Sequence, residues 1–214
     1  MRAITVVDYG IVNLANIVRG LARAGGEVSV SNHPEEILKA ERVVLPGVGA
    51  FAAGMTELSA QYLDKAIIEV ALAGTPVLGI CLGMQMLLDN SEENGLHKGL
   101  GLISGSVKAI PKEENREVRR RKVPHIGWNS LRYPLLGRSW QDTCLASTKC
   151  GEFCYFAHSF MTVPEDQDCI LARCDYEGLP IAAAIHQENI TGLQFHPERS
   201  GPVGPGILEH FVNA

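Results

Sequence analysis

The chain has 214 residues, of which 46% are hydrophobic and 20% charged, and its formal net charge is −5. A chain of this length buries roughly 70% of the surface that its unfolded form exposes, so it needs neither disulfides nor a structural metal. These values predict one soluble domain over residues 1–214 and disfavour disorder and nucleic-acid binding, which requires a basic surface. We expect no membrane span, because no stretch approaches ~20 apolar residues. We also expect a cytoplasmic location and six free cysteines, because free thiols are the usual state in a cytosolic chain of this size.

The N-terminal half alternates short β-branched segments with helical patterns. Strands are predicted at 3–7, 28–31, 43–45 and 77–80, and helices between Gly10 and Gly25 and at 34–40, 63–73 and 82–88. This alternation is typical of parallel strands that are joined by crossover helices.

Beyond about Gly99 the pattern changes to short alternating segments. They predict antiparallel or mixed strands that extend the sheet, at 104–110, 154–160, 170–174, 181–185 and 191–195. We therefore predict an α/β fold: an open, mostly parallel sheet flanked by helices, with added antiparallel strands. The basic run from Arg119 to Lys122 is interpreted as a solvated loop, with a partner or phosphate contact as the alternative.

The segment Gly79-Ile80-Cys81-Leu82-Gly83 lies where a predicted strand meets a predicted helix. It has the Gly-x-nucleophile-x-Gly form of an elbow turn, with cysteine as the nucleophile. Small neighbours are needed there, because a Cβ would collide with the strand before the turn or the helix after it. The start of the helix also favours a thiolate. Cys81 is thus a candidate nucleophile, although a buried structural cysteine is the alternative.

A base and its orienting acceptor are supplied by His196-Pro197-Glu198, which follows the apolar segment 192–195. His196 is then expected at a strand end, the level at which open α/β sheets keep their sites. Pro197 restricts the backbone, so that Glu198 can turn back toward the imidazole. A third segment, Pro46-Gly47-Val48-Gly49, follows another predicted strand and can point backbone N–H groups at a ligand, although alone it is only a turn.

These three motifs, in this order, resemble the class I (triad) glutamine amidotransferases. Further segments narrow the resemblance to the glutaminase subunits of imidazole glycerol phosphate synthase: Asp8-Tyr9-Gly10 with Asn13-Leu14, His125-Ile126-Gly127-Trp128-Asn129 and Tyr155-Phe156-Ala157-His158-Ser159. The resemblance covers the chain essentially end to end.

The resemblance implies a reaction and a set of roles. Cys81 attacks the side-chain amide of glutamine, His196 moves the proton and Glu198 orients His196. The remaining implied residues are the oxyanion donors Gly47, Val48, Gly49 and Leu82, and the substrate-binding residues Gln85, Glu93, Ser159 and Phe160. It implies no cofactor.

The resemblance also implies a partner, a (β/α)8-barrel cyclase that forms a heterodimer with the chain and receives ammonia through a channel. The implied interface residues are Asn13, Trp128, Tyr155 and Arg199. Two departures are the phenylalanine at position 160, where an aromatic hydroxyl is expected, and the longer basic segment before His125. They leave the ammonia acceptor open.

Four alternatives remain at this point. The chain could supply ammonia to another synthase, such as one that amidates surface sugars; it could be a thiol sensor without catalysis; or it could be a cysteine peptidase. A thiol sensor explains the motifs less well, because it needs no His-x-Glu. A peptidase also explains them less well, because the Pro-Gly-Val-Gly segment with Gln85 fits a small amide substrate. The fourth, a metal site at the pairs Cys150/Cys154 and Cys169/Cys174, is disfavoured by their loose spacing.

Overall fold

A computed structural model describes residues 2–10, 14–112, 121–134 and 139–213. The helices are α1 (Leu14–Arg23), α2 (Pro34–Ile37), α3 (Phe51–Ala60), α4 (Leu63–Leu72), α5 (Leu82–Met86) and α6 (Val203–Asn213). The strands are β1 (Arg2–Val7), β2 (Gly26–Ser31), β3 (Val43–Gly47), β4 (Val77–Cys81), β5 (Leu88–Ser91), β6 (His97–Lys98), β7 (Ile103–Ala109), β8 (His125–Ser130), β9 (Phe153–His158), β10 (Phe160–Pro164), β11 (Ile170–Tyr176), β12 (Leu179–Gln187) and β13 (Ile190–Leu193). Short 3-10 turns cover Gln167–Cys169 and Pro197–Arg199.

The main sheet has seven strands in the order β11-β12-β13-β4-β3-β1-β2. The five strands from β13 to β2 are parallel to one another, whereas β11, β12 and β13 pair antiparallel. Two hydrophobic clusters cover the described core, one with β1, β4 and α6 and the other with β3, α3 and α4. The predicted fold class, a mostly parallel sheet flanked by helices with added antiparallel strands, is confirmed.

Parts of the predicted C-terminal half were wrong. Only β11 and β12 extend the main sheet with antiparallel strands, while β10, β7, β5 and β6 form a second sheet and β8 pairs with β9 in a separate two-stranded ribbon. The predicted strand 154–160 is two strands, because β9 pairs with β8 whereas β10 pairs with β7. The backbone changes partner at Ser159, whose carbonyl accepts from the amide of Ile110 at 2.9 Å.

Some helices also differ from the prediction. The helix predicted at 82–88 ends at Met86, because Leu88 pairs with Ile103 and continues as β5. The helix predicted at 34–40 ends at Ile37. Helices α3 and α6 and strands β5, β6 and β8 were not predicted. Within the described residues, no helix combines the length and apolar character needed to cross a membrane.

The basic run is only partly described, since Arg119 and Arg120 lie outside the described residues. The guanidinium of Arg121 donates hydrogen bonds to the backbone carbonyls of Pro111, Tyr176 and Glu177 at 3.0 to 3.1 Å. Arg121 therefore binds the segment before β8 to the turn between β11 and β12. Neither interpretation of the basic run, a solvated loop or a partner or phosphate contact, included this structural role.

Candidate active site

Cys81 is the last residue of β4 and directly precedes α5, as an elbow turn requires. Its backbone angles, φ 56° and ψ −110°, are sparsely populated for a residue with a side chain, so the turn stores strain at this position. A Cβ at Gly83 would collide with the carbonyl oxygen of Leu45, and one at Gly79 would lie 2.8 Å from the Gly83 carbonyl oxygen. Both glycines are thus required for helix α5 to start this close to the sheet.

His196 follows β13, the strand beside β4, and lies close to Cys81. Its Nδ1 is 2.9 Å from Oε1 of Glu198, and the two side chains are 9% and 6% exposed. The turn Pro197–Arg199 brings Glu198 back onto the imidazole. Burial lowers the pKa of His196, but hydrogen bonds to Cys81 and Glu198 and the charges of both outweigh burial and raise it well above 6.5. The structure thus brings Cys81, His196 and Glu198 together in the order that a triad requires.

Ser200, which is not among the predicted site residues, holds the backbone of His196. Its hydroxyl donates to the carbonyl of His196 at 2.7 Å and accepts from the amide of Tyr155 at 3.0 Å. The amide of His196 in turn donates to the carbonyl of Tyr155 at 2.9 Å. Strand β9 is therefore hydrogen-bonded directly to the segment that carries His196.

Replacing Glu198 with glutamine tests the coupling between Glu198 and His196. The variant Glu198→Gln loses a negative charge beside the imidazole, so we expect the pKa of His196 to fall and kcat of the glutamine hydrolysis that the resemblance implies to drop about 10- to 100-fold. An NMR titration of the imidazole signals measures the first effect and glutamate release the second. Glu209→Gln, at an exposed position on α6, is the matched control. An unchanged His196 pKa in Glu198→Gln would contradict the coupling.

The Pro-Gly-Val-Gly segment begins at the end of β3, beside Cys81. Gly47 pairs in register with Cys81, and a Cβ at Gly47 would lie 2.6 Å from the Tyr9 hydroxyl, which donates to the carbonyl of Pro46 at 3.0 Å. Gly49 has φ +94°, a conformation that favours glycine. Tyr9 is fully buried, and its part in holding this segment was not predicted.

A cavity of about 380 Å³ opens over Cys81. Of the four candidate oxyanion residues, Val48, Gly49 and Leu82 line it, whereas Gly47 lines a smaller neighbouring cavity. All four candidate substrate-binding residues line it as well. The complete lining consists of Val48, Gly49, Cys81, Leu82, Gln85, Glu93, Pro124, Ile126, Ala157, His158, Ser159, Phe160, His196 and Arg199.

Two candidate substrate-binding side chains already have partners in the protein. The Nε2 of Gln85 donates to the Phe160 carbonyl and to Oε1 of Gln194, each at 3.1 Å. Oε2 of Glu93 accepts from the amide of Phe51, at the start of α3, at 2.7 Å. Gln194 was missed as a separate candidate, although a glutamine just before Phe195-His196 on an apolar strand was a detectable signal.

Two further histidines, His125 and His158, lie beside this cavity and are hydrogen-bonded to each other, with 2.9 Å between Nδ1 of His125 and Nε2 of His158. Burial lowers the pKa of His125 to about 4 and that of His158 to about 3. From the sequence alone His158 is interpreted as structural, and the 33 residues between it and His125 leave no local pattern that predicts their contact.

The depressed pKa of His125 predicts a loss of stability in acid. Between pH 6.5 and about 4 the unfolded chain binds a proton at His125 that the folded chain does not, so the unfolding free energy falls as pH falls. From pH 7 to pH 5 we expect His125 to contribute a loss of about 1 to 2 kcal/mol. Urea unfolding of the wild type and of His125→Asn at both pH values measures it. Equal losses in the two proteins would contradict the prediction.

Three of the four candidate interface residues contact one another: Trp128 on β8, Tyr155 on β9 and Arg199 in the turn that follows His196. Trp128 is 53% exposed and meets the ring of Tyr155 edge-on, with 6.0 Å between the centroids. The guanidinium carbon of Arg199 lies 4.3 Å from the centroid of the Tyr155 ring. The fourth candidate, Asn13, lies outside the described residues. The exposed side chains of Ile126 and Phe153 are on the same ribbon and were not predicted.

The other cysteines differ from Cys81 in environment. All six are free, and burial raises the pKa of Cys144, Cys154 and Cys174 to about 12. These three thiols are therefore protonated at neutral pH and poor nucleophiles. Among the described residues, no group of three or more histidine, cysteine or acidic side chains is arranged to hold a metal ion.

Comparisons with known proteins agree with this geometry. Residues 5–214 match the family Glutamine amidotransferase class-I. The chain is 43% identical over 212 residues to imidazole glycerol phosphate synthase subunit HisH 1 of Legionella pneumophila (strain Lens), covering 99% of both chains. It is 45% identical over 207 residues to subunit HisH of Streptococcus sanguinis (strain SK36), covering 96% of this chain and 93% of that one.

Solved structures support the fold. PurLQS from Thermotoga maritima superposes with a TM-score of 0.72 at 22% identity, covering 99% of this chain and 98% of that one. A glutamine amidotransferase from the same organism gives a TM-score of 0.64 at 16% identity, covering 92% of this chain and 76% of that one. The chain belongs to the class I glutamine amidotransferase family and, within it, to the family of the imidazole glycerol phosphate synthase subunits HisH.

Proposed function

We propose that this chain is the glutaminase subunit of an imidazole glycerol phosphate synthase, in which Cys81 is the nucleophile. The observation that carries the proposal is the Cys81 elbow beside the His196–Glu198 pair, at the floor of a cavity lined by Gln85 and Glu93. A nucleophile, a base and an orienting carboxylate are the groups that hydrolysis of an amide by covalent catalysis requires.

The reaction runs in two steps. The Cys81 thiolate attacks the side-chain carbonyl carbon of glutamine, and protonated His196 gives its proton to the departing nitrogen, so that ammonia leaves and a γ-glutamyl thioester remains. Water then attacks the thioester, His196 accepts the proton of that water, and glutamate and the thiolate are released. Glu198 holds Nδ1–H of His196 throughout, which keeps Nε2 directed at the sulfur.

Stabilisation of the oxyanion is proposed for backbone N–H groups of Leu82 and of the segment Gly47, Val48 and Gly49. The position of Leu82 supports this, since it opens α5 directly after the nucleophile and free N–H groups occur at a helix start. We propose that Gln85, Glu93 and the main chain of Ser159 and Phe160 bind the amino and carboxylate groups of glutamine. Their common position around the cavity supports these roles.

The proposed partner is a (β/α)8-barrel cyclase that forms a heterodimer with this chain and receives the ammonia through a channel. The partner uses it to make imidazole glycerol phosphate and AICAR in histidine biosynthesis. Relatives named as synthase subunits, and the contacts among Trp128, Tyr155 and Arg199, support a docking face beside the β8–β9 ribbon. We also propose Asn13 as an interface residue, on the resemblance alone, since it lies outside the described residues. We further propose a single cofactor-free domain over residues 1–214 that works in the cytoplasm.

The test is glutamate release from glutamine by the purified chain, alone and with the cyclase and its phosphorylated ligand. We expect the isolated chain to be nearly inactive and the complex to be stimulated more than ten-fold. The reason is that the partner and its ligand favour the ordered conformation of the oxyanion segment Gly47 to Gly49. High turnover by the isolated chain would contradict the proposed activation by the partner. Labelling of Cys81 by a glutamine analogue without stimulation would favour another synthase as the acceptor of ammonia.

A further inference from the structure

The pair His125–His158 has no part in the proposed reaction, yet it is buried beside the cavity. The two residues are 2% and 5% exposed. His158 Nδ1 lies 2.7 Å from the carbonyl oxygen of Phe160, and its Nε2 lies 2.9 Å from Nδ1 of His125. The pair therefore connects β8 to the first residue of β10, and His158 and Phe160 both line the cavity.

The direction of each hydrogen bond follows from the chemistry of the groups. A carbonyl oxygen only accepts, so Nδ1 of His158 carries the proton. In a neutral ring Nε2 of His158 then accepts, and Nδ1 of His125 donates to it. This leaves Nε2 of His125 as an acceptor, 3.4 Å from Nδ2 of Asn129, which also donates to the Asp175 carbonyl at 2.7 Å. Two neutral imidazoles with this proton arrangement satisfy each of these hydrogen bonds, from the Phe160 carbonyl to Asn129.

The connection continues to the nucleophile. The Phe160 carbonyl has two lone pairs, and these accept from His158 and from Nε2 of Gln85. The second hydrogen of the Gln85 amide is donated to Oε1 of Gln194, whose Nε2 approaches Sγ of Cys81 at 3.9 Å. Because both N–H groups of Gln85 are used, Oε1 of Gln85 is the atom that accepts a hydrogen bond from the substrate glutamine.

The ring of His125 is also held by packing. It stacks on Phe156 with 4.8 Å between the centroids and on Tyr176 with 3.9 Å. An imidazole that is stacked on both faces and hydrogen-bonded at both nitrogens has little freedom to move. His125 is thus a rigid anchor for His158, and His158 for the Phe160 carbonyl.

We propose that His125 and His158 are positioning residues, which hold the Phe160 carbonyl and so orient the Gln85 amide for glutamine. The inference rests on the proposed glutaminase function. It assigns to the pair an effect on the binding of glutamine rather than on the nucleophilicity of Cys81, because the imidazole that activates Cys81 is held by Glu198, whereas the hydrogen bonds of the pair run to Phe160 and Asn129.

Two reagents separate these effects. A diazoketone analogue of glutamine occupies the glutamine pocket before it alkylates Cys81, whereas iodoacetamide needs only a reactive thiolate. The variant His125→Phe keeps an aromatic ring in the stack but loses the donor to His158. The matched variant His125→Asn keeps a donor near the position of Nδ1. Circular dichroism and thermal melting check the fold of each protein.

In His125→Phe we expect the analogue concentration for half-maximal inactivation to rise at least ten-fold, with the iodoacetamide rate within two-fold of the wild type. His125→Asn should recover to within about three-fold. Unchanged half-maximal concentrations in His125→Phe would overturn the proposal. So would equal losses toward both reagents without recovery in His125→Asn, since those indicate general structural damage.

Two controls keep the result decisive. If His125→Phe does not fold, His158→Asn replaces it, because asparagine keeps a donor toward the Phe160 carbonyl and loses the bond to His125; the same ten-fold criterion then applies. Failure of the proposed function is recognised separately on the wild type, which would neither be labelled at Cys81 by the analogue nor release glutamate with the cyclase.

Discussion

Replacing Cys81 with alanine should abolish glutamine hydrolysis, with a loss of at least about 10³-fold in kcat, while the chain stays folded. The variant removes the only atom that forms the thioester, and neither His196 nor another thiol substitutes for it. The loss of one sulfur from a nearly buried position should cost the fold no more than about 1 to 2 kcal/mol. Glutamate release with the cyclase present and a thermal melt measure the two effects.

The matched control is Cys150→Ala, which removes an exposed thiol and should retain full activity. Mass spectrometry of the wild type during turnover should also detect a glutamyl adduct on the peptide that contains Cys81, and on no other cysteine peptide. Residual turnover by Cys81→Ala at more than a few per cent of the wild-type rate would refute the assignment of the nucleophile.

Replacing Gly83 with alanine should have the largest effect on stability. The new Cβ would collide with the backbone carbonyl of Leu45, and a backbone carbonyl within a paired strand cannot turn away as a flexible side chain can. We expect a loss of about 3 kcal/mol or more in the unfolding free energy, measured by urea denaturation. Any folded fraction should also lose activity, because relieving the collision must move the start of α5, which displaces Cys81 and Leu82.

Gly20→Ala is the control for this substitution, since Gly20 lies in α1 and its new Cβ would meet mainly the terminal methyl group of the Leu208 side chain. That methyl group can turn away, and alanine favours a helix more than glycine does. The expected change is within about 1 kcal/mol of zero. If Gly83→Ala were as stable as Gly20→Ala, the close approach of α5 to β3 would be wrong.

Local sequence determines the central parts of this protein. The β-branched runs that alternate with helical patterns indicate a parallel sheet, because parallel strands need crossover helices between them. The elbow at Cys81 is readable for the same kind of reason: its two glycines lie within two residues of the nucleophile, where a strand must turn directly into a helix. The contact between His196 and Glu198 also lies within one turn, so residue type and Pro197 are enough to predict it.

The tertiary structure decides features whose partners are distant along the chain. Leu88 has a helical neighbourhood but becomes a strand because it pairs with Ile103, and the predicted strand 154–160 breaks at Ser159 because its two halves pair with different strands. Backbone hydrogen-bonding groups must be satisfied when buried, and which segment satisfies them is a property of the whole fold.

The same reason separates what the sequence determined about the site from what it left open. The proposed nucleophile, its proposed base and the glycine turn follow from local patterns at the ends of β4, β13 and β3. The orientation of Gln85 depends on Gln194, 109 residues away, and the His125–His158 pair joins strands from separate parts of the sequence. Short motifs determine which groups do the chemistry, whereas contacts between buried polar groups from distant segments determine how those groups are held.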